Sequence, residues 1–361
     1  MAKTRLMNRP ADYEQLGIKP NEIELWEDGR RIKNEKGWWE WWYFDSILDD
    51  GTRAVVQFFT KSGGTMNFKH AHPKFTMRVT LPDGTERSEE ASFKESEATW
   101  SYERCGVDYD GNLFDGNYED YTIRVKPING TGVDFTMHSL SRPYRPGSSY
   151  FELGEPGRVY TWLCAVPKGE VTGTITVDGQ TRDVHGYGYH DHQWGNTNFL
   201  KEWNSWVWAR QSFDDYSMIV FDFVSNEQMG YTRLPITFIQ DADGNLVFEN
   251  LDGVNCTVLG TYHDDASEKD YPTGFHYVFS NDGKTAEYTL KEHEIIECNG
   301  RNNIGAVARG LSKVAGIDPA YTRYSATGDL VLTEADGSHI ERSGELIYEF
   351  MYPGSDFAAH M

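Results

Sequence analysis

The segment HGYGYHDHQWG, His185 to Gly195, is the most distinctive stretch in the chain, and its residue types are those that move protons. Read as a β-strand, its period of two puts His185, Tyr187, Tyr189, Asp191 and Gln193 on one face. Gly186, Gly188, His190, His192 and Trp194 fall on the other. One face is thus a row of hydrogen-bonding groups around a single carboxylate. Side chains this polar are costly to bury unless they bond one another or a ligand, so both a structural network and a reactive site fit the pattern. The two glycines leave room for close approach of another backbone or a ligand.

A second segment, WWEWWYFD from Trp38 to Asp45, places Trp38, Glu40, Trp42 and Phe44 on one strand face and Trp39, Trp41, Tyr43 and Asp45 on the other. Glu40 is then a carboxylate flanked by indoles, and burial would hold it protonated near neutrality. The plainer reading is that it pairs with an arginine or accepts an indole N–H. A third set comprises Trp162 in VYTWLCAVP and the face of Trp206, Trp208 and Arg210 in WNSWVWAR. Indole faces stabilise cations, most strongly where water is excluded, although core packing accounts for at least half of such tryptophans. The expected substrate contacts are Glu40, Trp42, Tyr43, His190, His192, Trp206 and Trp208. Glu40 and the Trp38/Trp42 face are expected to line the same pocket as Tyr189 and Asp191. The His190/His192 and His70/His72 pairs have metal-ligand spacing, but clear third-ligand signatures are missing, and no metal is expected. No phosphate-cradling loop, dinucleotide fingerprint or nucleophile elbow is present.

These segments need sheets to position them. Short Val/Ile/Tyr/Phe/Thr runs broken by Asp-Gly turns, as in GTITVDGQTRDV and YVFSNDGKTAEYTL, predict antiparallel strands and argue against alternating βα units. At 361 residues, two domains are expected. They are predicted as residues 1–198 and 199–361, two lipocalin-like β-barrel or β-sandwich domains packed together. One short helix is predicted near residues 304–315, where Ile304, Val307, Ala308, Leu311, Val314 and Ala315 recur at helical spacing.

Composition narrows the function. With 11 Trp, 21 Tyr and 19 Phe, the chain carries aromatics enough to line a ligand pocket as well as a core. A formal net charge of -22 disfavours nucleic acid and anionic membrane surfaces as partners. No run approaches the roughly 18 apolar residues of a membrane helix, and no signal peptide is evident, so a cytoplasmic location is expected.

The motifs EWWYF, GYHDHQWG and YPTGFHYVFS together resemble the carotenoid 1,2-hydratase family, whose relatives include hydroxyneurosporene synthase, kievitone hydratase, fungal decalin-forming cyclases and AttH-like proteins. The resemblance spans most of the chain. It implies two lipocalin-like domains and chemistry without a cofactor on apolar isoprenoid or polyketide-like substrates. It also implies an acid at Asp191, assisted by Tyr189, with Trp162 contributing. The leading expectation is therefore an acid-catalysed hydratase or cyclase acting on a C=C bond of an isoprenoid, terpenoid or prenylated polyphenolic molecule. The alternatives are a pericyclase or isomerase on a polyene, a carrier of an apolar ligand, and a carbohydrate-active protein using Glu40 and Asp191.

Overall fold

Alternating apolar and polar residues become strands along most of the chain. In Arg53–Lys61, for example, Ala54, Val56 and Phe58 point inward and are fully buried. A computed structural model of the chain describes residues 3–265, 267–299 and 321–361. The helix expected near 304–315 lies outside the described residues. The protein is mostly β, with two curled antiparallel sheets, of 13 and nine strands among the described residues, the lipocalin-like architecture expected from the motifs.

The chain divides into two compact units. One is Leu6–Glu152 with Gly157–Thr197; the other is Met1–Arg5, Leu153–Pro156 and Asn198–Met361. In the first, the sheet curls around a core that includes Trp42, Phe44, Phe58, Phe75, Phe114 and Phe135. In the second, the core includes Val207, Phe275, Tyr277, Tyr288, Tyr324, Tyr348 and Phe350. The turns follow their dipeptides. Asp178-Gly179 and Asp282-Gly283 take positive φ at both positions, 50° and 78° in one and 49° and 77° in the other, the pattern that matches the twist of a two-residue hairpin. A helix over Pro10–Leu16 was not anticipated. Its local signals are present in the sequence: Pro10 at its first position and Gly17 beyond its end, in left-handed backbone with φ 68°.

The HDH segment lies on the strand Gln180–Gly195, in the middle of the larger sheet. It is paired on one side with Trp39–Leu48 and on the other with Val159–Val177. Both flanks are antiparallel. Gly186 and Gly188 allow the tight approach of the tryptophan-rich neighbour: a Cβ on Gly186 would lie 2.4 Å from the Ile47 carbonyl oxygen, and one on Gly188 2.8 Å from that of Asp45. Gly186→Ala should therefore force backbone apart and destabilise the protein by about 1–3 kcal/mol. Asp183→Ala, at an exposed position of the same strand, should be close to neutral, and thermal unfolding of both variants checks the contrast.

Candidate functional site

Strand pairing decides which side chains meet at Asp191. Across one neighbour it stands opposite Tyr43, and across the other opposite Cys164, with Trp162 opposite Gln193. Directly paired residues share a face. The outcome is a compact hydrogen-bonded group. Asp191 Oδ2 accepts from Tyr189 Oη at 2.8 Å, Gln193 Nε2 at 3.0 Å and Trp162 Nε1 at 3.3 Å. Among the described residues, Oδ1 accepts from Gln193 Nε2 alone, at 3.1 Å. Tyr160 in turn donates its hydroxyl to Gln193 Oε1 at 3.0 Å, fixing the amide so that its nitrogen faces the carboxyl.

Asp191 is 3% exposed, and among the described residues its hydrogen-bond partners include no lysine or arginine. Desolvation pushes its carboxyl up to about 6, while the donors Tyr189 and Gln193, the field of His190 and the Trp162 indole pull the other way. Burial drives the Tyr189 phenol well above its ordinary range, so it remains a hydroxyl donor. Tyr43 shares this face: its ring lies 6.2 Å from that of Tyr189 in an edge-on contact, and its hydroxyl donates to Asp45 Oδ2 at 3.1 Å. Asp191, Tyr189, Trp162 and Tyr43 are thus brought together. A neutral carboxyl in this setting can give a proton or a hydrogen bond, and the adjacent indole can stabilise positive charge.

Glu40, Trp42, His190 and His192 are not on this face, which corrects the expectation of one shared pocket. The register sets Glu40 opposite Trp194 and Trp42 opposite His192, so these side chains point into the core of the unit. Trp42 stacks on His192 with ring centres 4.5 Å apart and donates its indole N–H to the Asp28 carbonyl at 2.9 Å. Glu40 accepts from Thr60 Oγ1 at 2.6 Å and from the Arg31 backbone N–H at 2.5 Å, the satisfied partnership of a structural carboxylate. Trp206 and Trp208 belong to the second unit, partly buried on Trp203–Ser212, with Arg210 5.7 Å over the Trp208 ring.

The two His-x-His pairs do not form one ligand set. His70 is largely exposed beside Glu95 at 3.7 Å, whereas His190 and His192 are fully buried. Among the described residues, the donors most able to share a metal are Asp28, Cys105 and His190, within 4.8 Å of one another. Asp28 Oδ2 takes the Tyr121 hydroxyl at 2.7 Å and faces His190 Nε2 at 3.2 Å, and the Cys105 thiol donates to the Phe114 carbonyl at 3.6 Å, so we read them as hydrogen-bonding partners and not as ligands. Sequence reasoning missed Gln193 and Tyr160 as neighbours of the acid. Gln193 was legible, since it shares the strand face of Asp191. Tyr160 was one of many aromatics. Asp28, in the short turn Leu25–Asp28, carries no motif at all.

Comparison with known proteins places this geometry in context. The Diels-Alderase ucsH of Acremonium sp. is 24% identical over 221 residues, 55% of this chain and 53% of that protein. The chain spans about half the length of the curated relatives it matches. The crystal structure of CghA with Sch210972 superposes with a TM-score of 0.61 at 16% identity, covering 91% of this chain and 95% of that one. Kievitone hydratase from Nectria haematococca gives 0.54 at 14% identity, over 93% and 94%. At such identities these structures attest to the fold. No helix among the described residues is long and apolar enough to cross a membrane. The AttH-like family model matches residues 31–293, most of the chain and the whole of the Asp191 group, and the chain belongs to that family.

Proposed function

We propose that the protein is a cofactor-free enzyme in which Asp191, held neutral by burial, acts as an acid on an unsaturated apolar small molecule of isoprenoid, terpenoid or prenylated polyphenolic type. The observation that carries this reading is a carboxyl only 3% exposed that accepts from Tyr189, Gln193 and Trp162 and, among the described residues, bonds no lysine or arginine, a setting in which burial pushes it up to about 6. Tyr189 and Trp162 both direct hydrogens at Oδ2. That leaves Oδ1, with its one shared donor, as the oxygen from which a proton departs. Transfer of that proton to one carbon of a C=C bond leaves a cation on the other. The indole face of Trp162 stabilises it. Water, or a hydroxyl of the substrate, then adds to the cation and returns a proton to Asp191, so that the acid is regenerated. The product is a hydrate or a ring, a lyase or cyclase reaction. Family membership, with a hydratase among the structural neighbours, supports chemistry of this general kind.

A second reading is favoured by the sequence relatives, which are Diels-Alderases. In it Asp191 keeps its proton and only hydrogen-bonds a substrate carbonyl, polarising a polyene for cyclisation. Asp191→Asn separates the two, because an amide can donate a hydrogen bond but not a proton. If the proton moves, turnover should fall by at least about 10²-fold with ligand affinity retained. Activity within about tenfold of wild type would sink proton transfer and favour the polarising role.

The acid must be neutral to act, so log activity should fall with unit slope above about pH 6. Stability follows the same group. The native carboxyl binds its proton more tightly than the unfolded one, so its contribution is fully present at low pH. It is lost as pH rises through about 6, where burying the carboxylate becomes unfavourable by about 3 kcal/mol. Asp191→Asn, which never ionises, should therefore unfold at a higher temperature than wild type at pH 8, the gap closing toward pH 5. Calorimetry at the two pH values checks the sign.

A further inference from the structure

Trp162, whose indole N–H meets Asp191, stands on a strand whose edge partner is broken at that point. Tyr144 and Cys164 exchange backbone bonds of 2.8 and 2.9 Å, and pairing resumes on Tyr150–Leu153, with Tyr150 opposite Thr161. In between, Ser149 bonds Trp162. Residues 145–148 therefore bulge outward where the facing strand has only Leu163. Arg145 holds the bulge in place. Its guanidinium makes a buried ion pair with Glu27 at 2.8 Å and donates to the Gly147, Lys19 and Glu22 carbonyls. Bulges interrupt a ladder and re-aim the side chains beside them.

Ser149 closes the bulge in left-handed backbone, with φ 77°, a region that side chains other than those of Asn and Asp seldom enter. Nine non-glycine residues among those described have positive φ, and Ser149, 1% exposed, is the only buried one. Its own N–H turns back to the Pro146 carbonyl at 2.7 Å. The backbone donor that a regular antiparallel partner would offer Trp162 is thereby withdrawn. The side chain replaces it: Ser149 Oγ donates to the Trp162 carbonyl, while the Ser149 carbonyl accepts the Trp162 N–H at 3.3 Å. One residue thus holds both backbone polar groups of Trp162. The indole has little slack. It reaches Tyr189 Oη and Asp191 Oδ2 at 3.3 Å each, so a retreat of a few tenths of an ångström would break both bonds.

We infer that Ser149 is a positioning residue, whose left-handed backbone and hydroxyl fix the Trp162 backbone so that the indole N–H meets Asp191. Strain at a buried residue persists only where its surroundings over-determine it, and the Arg145–Glu27 pair and the Tyr144–Cys164 bridge do so here. Tyr144 adds a ring edge-on to the Trp162 indole, 6.4 Å between centres. Ser149 acts through Trp162, and its bearing on catalysis rests on the reading of Asp191 as the acid.

Proton–nitrogen spectra of the tryptophan indoles in the whole protein test this without a known substrate. Trp162→Phe assigns the resonance. Asp191→Asn should displace it in wild type, because the indole proton loses its carboxyl partner. In Ser149→Gly, where glycine takes the left-handed backbone freely but brings no hydroxyl, the same change should displace it less than half as far. Should Ser149→Gly not fold, Ser149→Ala completes the cycle. A residue that only stabilises the fold would lower the unfolding temperature and leave the displacement intact. Equal displacements in the two backgrounds, or none in wild type, overturn the inference. Titration of the same resonance in wild type separates the two readings. A midpoint near pH 6 agrees with the acid. One in the ordinary carboxylate range would sink the acid reading and leave the positioning of Trp162 to stand or fall on the cycle.

Discussion

Taking one carboxyl group out of water is the constraint on which the Asp191 group depends. An aspartate with no lysine or arginine bonded to it is stable in a dry place only as the neutral acid, or with donors that replace the lost water. The protein uses both. Tyr189, Gln193 and Trp162 all direct hydrogens at the carboxyl. They soften the desolvation so that the group titrates near 6, low enough to give its proton and high enough to hold it in mildly acidic solution. Remove the donors and the acid becomes too weak to give the proton; add a basic partner and it is ionised.

The same strand serves two different environments because a β-strand alternates. The residues either side of Asp191 point into the core, where the imidazoles of His190 and His192 meet Asp28 and Glu40. Pairing on both flanks keeps that alternation from slipping. A shift of one residue would turn Asp191 to the opposite face and put a histidine in its place. The glycines Gly186 and Gly188 contribute by letting the Trp39–Leu48 strand approach where side chains would hold it away. Position and acidity are thus both consequences of register.

Register is also where the sequence stops being legible. Periodicity correctly separates the two faces of HGYGYHDHQWG and of WWEWWYFD, and the Asp-Gly dipeptides mark hairpins that form. What period two cannot say is which face of one strand joins which face of the other. Pairing Trp194 with Glu40 sends Glu40 inward; a slip of one residue would have set it beside the acid, as first expected. Tyr43, on the alternate face, goes with Asp191 instead. Asp28 was beyond reach for another reason. It lies more than 150 residues from the histidines it faces, in a single short turn with no periodic signal, and only the folded chain brings them together.

The central claim is that Asp191 is a neutral carboxylic acid in the folded protein under mildly acidic conditions. Infrared difference spectroscopy between wild type and Asp191→Asn reads this directly, since a protonated carboxyl has a C=O stretch well separated from that of a carboxylate. The account predicts one such band at pH 5, absent from the variant and fading with a midpoint near pH 6. A carboxylate signature at pH 5, with no protonated band assignable to Asp191, would contradict it.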